Sequence, residues 1–60
     1  MSHIVIQIKT DNAAFTDSYE LETARILRNL ADKLENQEID EAESLRDFNG
    51  NRVGLFEHYS

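Results

Sequence analysis

The chain begins with apolar side chains at every second position: Ile4, Ile6 and Ile8. They alternate with Val5, Gln7 and Lys9. A period of two with β-branched residues is typical of a strand that has one apolar face. We therefore predict a strand over residues 4–9 and a loop over residues 10–16. Phe15, which is large and lies in that loop, is expected to plug one end of the core.

The next segment changes to a helical period. Its apolar side chains form one stripe: Ala24, Leu27, Leu30, Ala31 and Leu34. The helix is predicted to begin near residue 17 or 18 and to end near residue 35, since Asp17 and Glu20 have the spacing of a capping box. The stripe should face a sheet, while Tyr19 and Ile26 should lie on a shoulder that a three-stranded sheet leaves uncovered.

A polar connector follows over residues 36–43, with Ile39 as its candidate anchor to the core. After it, strands over residues 44–48 and 51–58 flank Asn49 and Gly50. The Asn-Gly pair is a strong turn signal because both residues tolerate positive φ. These features predict a β-hairpin. The end of the preceding helix is less sharply defined, because no proline or glycine lies near residue 36.

Two registers are open for the hairpin. A two-residue turn sets Asp47 opposite Arg52 as a cross-strand ion pair. A three-residue turn with the glycine in a bulge sets Leu45 opposite Val53 and gathers them with Leu55 on one face. We favour the three-residue turn because it gives the two strands of the hairpin a common apolar face.

The predicted order is β-α-β-β in a single domain over residues 1–60. It is an α+β fold, with one helix packed on a three-stranded, mainly antiparallel sheet. The sheet order 1-3-2 is preferred, and parallel pairing of strand 1 with strand 2 is the alternative. A domain of 60 residues has a small core and no cysteine for a disulfide. We therefore expect a homodimer, formed through the open sheet face or an exposed strand edge.

The charge of the chain excludes some partners. Twelve acidic residues against six basic ones give a net charge of −6. An acidic surface disfavours direct binding to nucleic acid or to anionic lipid. No apolar run approaches the ~18 residues of a membrane helix, and the first residues do not form a signal peptide. A cytoplasmic location is expected.

The sequence offers little for catalysis or for cofactor binding. His3 and His58 are the only histidines, and they have no third ligand at the spacing of a zinc site. Residues 47–51 superficially resemble a calcium loop, but Arg52 and His58 occupy the positions of its glycine and glutamate. No serine lies in a nucleophile elbow. We expect no enzyme activity, no cofactor and no metal.

The sharpest feature is an acidic cluster at the end of the helix and in the connector: Asp32, Glu35, Glu38, Asp40, Glu41 and Glu43. It either keeps the surface solvated or docks on a basic partner, such as a protein surface that binds nucleic acid. Phe56 and Tyr59 project to opposite faces, so one of them should join Val5 on the open sheet face. The predicted partner-binding residues are therefore acidic and apolar: Glu38, Asp40, Glu41, Glu43, Tyr19, Ile26, Phe56 and Tyr59.

Three blocks of sequence carry a resemblance: residues 10–15 (TDNAAF), 24–35 (ARILRNLADKLE) and 45–54 (LRDFNGNRVG). Together they resemble a family of short uncharacterised proteins from tailed bacteriophages and prophages. The resemblance implies a source, with the bacterial host cytoplasm as the location, and it carries over no catalytic or binding residues. By analogy with small phage accessory proteins, we expect binding to a host or defence protein. The alternative is a structural or assembly protein whose only partner is itself.

Overall fold

The computed structural model describes all 60 residues. Its elements are β1 (His3–Ile8), a 3-10 turn (Ala13–Phe15), α1 (Tyr19–Glu35), β2 (Ala42–Arg46) and β3 (Arg52–Tyr59). β3 is the central strand and runs antiparallel to both neighbours, which gives the sheet order β1-β3-β2. The predicted α+β fold and its preferred sheet order are confirmed. The alternative, in which strand 1 pairs directly with strand 2, is wrong because β3 lies between them.

The core lies between α1 and the sheet and contains six buried apolar side chains: Phe15, Ile26, Leu30, Leu45, Val53 and Phe56. Phe15 closes the core from the 3-10 turn, as predicted. Ile39 packs against the core from the connector, which confirms it as the anchor of that segment. Each buried aliphatic or aromatic side chain of this size contributes about 1.5–3 kcal/mol, so this small set holds most of the fold together.

The helix is rotated relative to the predicted stripe. Ile26, predicted on the uncovered shoulder, is only 3% exposed, whereas Leu27 is 40% exposed. The cause lies on the flank of α1 that faces β2. There Glu22 accepts a hydrogen bond from the backbone N–H of Phe48 at 2.8 Å, which draws this flank toward the hairpin. Ile26 turns inward as a result, and Leu27 and Leu34 are left on the side of β1.

Both ends of α1 differ from the simplest expectation. Ser18 is the N-cap, but its hydroxyl donates to the Glu20 carboxylate at 3.2 Å and caps no backbone group. The capping box of Asp17 and Glu20 is therefore wrong. At the other end, Gln37 adopts a positive φ of 57°. The N–H of Glu38 donates to the carbonyl of Lys33 at 2.8 Å, and this Schellman-type closure ends the helix without glycine.

The hairpin combines elements of both predicted registers. Its loop has three residues, with Gly50 at φ 85° and the N–H of Asp47 donating to the carbonyl of Asn51 at 2.9 Å. The three-residue turn is thus confirmed. A bulge then shifts the pairing, so that Leu45 lies opposite Gly54.

Two predicted cross-strand pairs are wrong for different reasons. The bulge sets Leu45 opposite Gly54 and not Val53, whereas the three-residue loop sets Arg46, and not Asp47, opposite Arg52. Leu55 pairs with Gln7 and Ser44 and so lies on the face away from the helix. The extra residue in β3 lets both Val53 and Phe56 point into the core.

Candidate functional site

A network of polar side chains fixes the hairpin loop against the start of α1. Glu22 and Arg25 form a bidentate ion pair, with the Arg25 Nε and Nη2 atoms 2.8 and 2.9 Å from the two carboxylate oxygens. Arg25 also donates to the carbonyl of Arg46 at 3.2 Å. Since Glu22 binds the N–H of Phe48 as well, one carboxylate connects the helix to the loop.

Asp47 organises the loop itself. Its Oδ1 atom accepts from the N–H groups of Asn49 and Asn51, both at 2.9 Å. Its Oδ2 atom accepts from the amide of Asn12 at 2.8 Å, and the Asn12 Oδ1 atom in turn accepts from the N–H of Ala14. Asp47 is thus the acceptor of an Asx-type turn that also ties the hairpin to the loop after β1.

Both carboxylates of this network are held in their ionised form. The hydrogen bond from Arg25 lowers the pKa of Glu22 against the opposing effect of burial. Burial is the largest single influence on Asp47 and raises its pKa, but hydrogen bonds from Asn51, Asn12 and Asn49 together outweigh it and leave the pKa lowered. With their pKa values lowered, neither carboxylate changes its protonation state near neutral pH. The arrangement works as a structural clamp on the loop.

At the opposite end of the molecule, an open groove runs between the end of α1, the connector and the sheet. It is lined by Ile4, Leu34, Ile39, Asp40, Glu41, Phe56 and His58, and we call it the apolar groove. Ile4 is 55% exposed although its side chain lies on the same face of the sheet as the helix. The helix covers β3 and β2 but leaves β1 largely open.

The acidic cluster borders this groove only in part. Asp40 and Glu41 lie in the groove lining, and Glu38 is exposed nearby in the connector. Glu43 lies on the helix face of β2 and forms an ion pair with Lys33 at 2.6 Å. The groove therefore has an apolar floor and an acidic rim, to which Glu43 contributes least because its charge is already paired.

The open face of the sheet has a different character. His3 and Tyr59 are paired across β1 and β3, and their rings stack with centroids 4.9 Å apart. A hydrogen bond to Glu57, together with burial, raises the pKa of Tyr59. Val5 also lies on this face. The prediction that one of Phe56 and Tyr59 joins Val5 there is confirmed for Tyr59.

The structure does not unite the predicted partner-binding residues. Ile26 is buried in the core and lies outside the groove lining, so it is removed from the predicted contact set. Phe56 is also buried and contributes only to the floor of the groove. Tyr19 is exposed at the first turn of α1, about 24 Å along the helix from its acidic end. What remains together is Asp40 and Glu41 with Glu38 near them.

Sequence reasoning misses several exposed apolar side chains. The alternation of Ile4 and Ile6 predicts a core position for both, yet both are exposed, as are Leu27 and Leu34. Phe48, at the tip of the clamped hairpin, is 63% exposed. The signal in the sequence is the width of the apolar surface of the helix, which predicts that part of it stays uncovered but not which residues do.

No protein-family model, curated protein or solved structure matches this chain. The resemblance to phage proteins therefore stays a prediction. No helix is both long enough and apolar enough to cross a membrane. No group of three or more histidine, aspartate or glutamate side chains is placed to hold a metal ion, and His3 and His58 lie on opposite faces of the sheet.

Proposed function

We propose that this protein is a small binding module that docks through its apolar groove and acidic rim on a basic, partly apolar surface of another protein. By the resemblance described above, it is a phage-type accessory protein, and the partner is a host or defence protein in the bacterial cytoplasm. No catalytic step is assigned to it.

The observation that carries this proposal is the exposure of apolar side chains at one end of the helix. Ile4, Leu34 and Ile39 line a concave surface. Scattered exposed apolar residues are normal, but a contiguous concave group of them is characteristic of an interaction site. The buried centre of such an interface supplies most of the affinity.

The rim of the groove selects the kind of partner. Asp40 and Glu41 belong to the lining and Glu38 is nearby, while no lysine or arginine belongs to it. Carboxylates around an apolar centre attract a lysine- or arginine-bearing segment and accelerate its encounter. Exposed charges are screened by salt over roughly 10 Å at 0.1 M, so binding should weaken as the salt concentration rises.

The test is affinity capture from bacterial host lysate at about 50 mM and 500 mM salt, followed by identification of the retained protein. Two variants address the groove: the triple variant Glu38→Gln, Asp40→Asn and Glu41→Gln, and Leu34→Ala. We expect both to lose the captured protein. The matched charge control is Asp11→Asn with Asp17→Asn and Glu20→Gln, since these three carboxylates are exposed and lie outside the groove lining.

Retention should fall at high salt in the wild type and should persist in the control. Capture of the same protein by the triple variant would show that the acidic cluster only solvates the surface. Capture that is equal for Leu34→Ala would exclude the groove. If no protein is retained even at low salt, the docking proposal fails.

The alternative function, assembly with a second copy, is favoured by a separate observation. β1 lies at the edge of the sheet, and all of its residues except Ile8 are exposed. A long apolar edge strand is a template for pairing with another strand.

A further inference from the structure

The free edge of β1 presents the backbone groups of its three isoleucines. The N–H of Lys9 donates to the carbonyl of Val53 at 2.7 Å. In an antiparallel ladder, residues that bond to the partner alternate with residues that point away from it. Residues 3, 5, 7 and 9 therefore bond to β3, and the N–H and C=O groups of Ile4, Ile6 and Ile8 point out from the sheet.

The same three residues place their side chains on the helix face of the sheet. They pair across β3 with His58, Phe56 and Gly54 in turn. Ile4 and Ile6 are exposed there, and Ile8 is half-buried. Unpaired backbone groups and an uncovered apolar row thus belong to the same residues.

The two edges of the sheet are built differently. β2 has five residues, includes the charged Glu43 and Arg46, and carries the irregular pairing near the loop. These are features by which natural edge strands avoid pairing. β1 has six residues, no acidic or basic side chain other than His3, and regular pairing throughout. In a chain of net charge −6, it is the edge where a second copy meets the least repulsion.

The surface area of the chain also points to a missing contact. A folded monomer of 6.9 kDa is expected to expose about 4,000 Å². This chain exposes 4557 Å². The excess of roughly 550 Å² is about two-thirds of the ~800 Å² that each partner buries in a standard specific interface.

From these observations we infer that the occupant of the β1 edge is a second copy of this chain, paired antiparallel about a two-fold axis through Ile6. In this register Ile6 faces the second copy's Ile6, and Ile4 faces the second copy's Ile8. Each pair exchanges two hydrogen bonds. It is the one self-pairing that uses all three outward-facing residues of both strands. The inference deepens the alternative function above and does not depend on docking in the apolar groove.

The pairing makes one sheet of the two three-stranded sheets and places both helices on the same side. The exposed isoleucines of the two β1 strands then meet between the helices, and cross-strand contacts between β-branched side chains stabilise the pair. On the other face Val5 lies opposite the second copy's Gln7, and His3 lies opposite its Lys9. No like-charged carboxylates face each other across the new strand pair.

Opposite charges introduced at Ile6, the residue on the two-fold axis, test this arrangement. Sedimentation of the wild type up to about 500 µM should show a dimer. Ile6→Lys and Ile6→Glu should each raise the dissociation constant by about tenfold or more, because two like charges then face each other in place of two apolar side chains. An equimolar mixture of the two variants should restore the dimer, since unlike charges then meet.

Leu21→Lys is the matched control, because Leu21 is exposed on α1 away from the sheet and the substitution likewise exchanges an exposed aliphatic side chain for a lysine. It should leave the dimer intact. Circular dichroism of each variant verifies that the monomer is folded. A monomeric wild type at the highest concentration, a dimer that survives Ile6→Lys, or a mixture that stays monomeric would each overturn the inference.

Single cysteines locate the register independently of charge. The chain contains no cysteine, so one introduced thiol can bond only to its copy. Facing residues of a hydrogen-bonded pair have Cα atoms about 5.5 Å apart, within the range of a disulfide. Ile6→Cys should therefore cross-link faster than Val5→Cys or Gln7→Cys. Faster linkage at either of those positions, or at Ser44→Cys on the β2 edge, would overturn the proposed pairing.

Discussion

Replacement of Gly54 by alanine is expected to separate β1 from β3. A Cβ atom at this position would overlap the carbonyl oxygen of Gln7 and would lie 3.0 Å from both the Gln7 carbonyl carbon and the Ile8 Cα. All three atoms belong to the backbone, so no side-chain rotation can make room. The backbones of β1 and β3 approach each other this closely at Gly54, and the glycine is a steric requirement of that pairing.

The size of the effect follows from the neighbouring hydrogen bond. Relief of the overlap requires β1 to move by about an ångström. That displacement would stretch the 2.7 Å bond from Lys9 to Val53 beyond the hydrogen-bonding range. Loss of about two ladder bonds at ~1 kcal/mol each, with ~1 kcal/mol of residual strain, gives a destabilisation of about 3 kcal/mol. The whole domain should have only about 3–9 kcal/mol of stability.

Urea unfolding monitored by circular dichroism measures the difference, and Gly50→Ala is the matched control. Gly50 has a φ of 85°, but the space that a Cβ atom would occupy there is open, so its replacement should cost only the ~1–2 kcal/mol of a left-handed backbone. Amide exchange at Lys9 should also accelerate more in Gly54→Ala than in Gly50→Ala. If Gly54→Ala is no less stable than Gly50→Ala, the steric account of this strand pair is wrong.

Two further predictions concern the helix. Ile26→Ala should lower the free energy of unfolding by about 2–5 kcal/mol and Leu27→Ala by less than about 1 kcal/mol, since only Ile26 is buried; the opposite order in urea unfolding would restore the stripe predicted from sequence. The pKa of Glu22 is lowered from its ordinary 4.5, so its contribution to stability is present above about pH 4.5 and is lost as the pH falls through the lower folded-state pKa. Glu22→Gln should therefore be less stable than the wild type at pH 7, the gap should narrow toward pH 3, and an unchanged gap would contradict the role of ionised Glu22.

The sequence pattern predicts the fold because each element carries its own local signal. The alternation of Ile4, Ile6 and Ile8 indicates β1, the helical period indicates α1, and Asn49-Gly50 indicates the hairpin. In the sheet order β1-β3-β2, the first two strands run parallel at opposite edges, and α1 is the long connection between them. Local patterns thus predict the elements and the hairpin, whereas the position of β1 beside β3 is only the preferred one of two orders that the sequence allows.

The rotation of α1 and the bulge cannot be predicted in this way, because both depend on contacts between distant segments. Glu22 and Phe48 are 26 residues apart and their hydrogen bond turns the helix. A helical wheel averages over all apolar residues, including alanines that gain little from burial, and has no information on such a contact. The cross-strand neighbours of Asp47 likewise suggest an ion pair, whereas its side chain caps the loop.

The candidate site is predictable only in its chemistry. The acidic connector and the expectation of an exposed apolar surface are both recognisable in the sequence, and Asp40 and Glu41 do border an apolar groove. The sequence predicts the wrong apolar residues beside those carboxylates, because the helical wheel indicates the wrong flank of the helix as exposed. Ile26 and Phe56 are the predicted contact residues, whereas Ile4 and Leu34 are the exposed ones.

The two ends of the molecule have different roles in this architecture. At the hairpin end, Glu22, Arg25 and Asp47 form a satisfied polar network that fixes the helix on the sheet. Because that end is clamped, the far end can leave Ile4 and Leu34 uncovered without loss of the fold. A second copy at the β1 edge would cover Ile4, which also lines the apolar groove, and would leave Leu34, Ile39 and the acidic rim exposed. Self-association and partner docking therefore share Ile4, and a partner that contacts this side chain should compete with self-association.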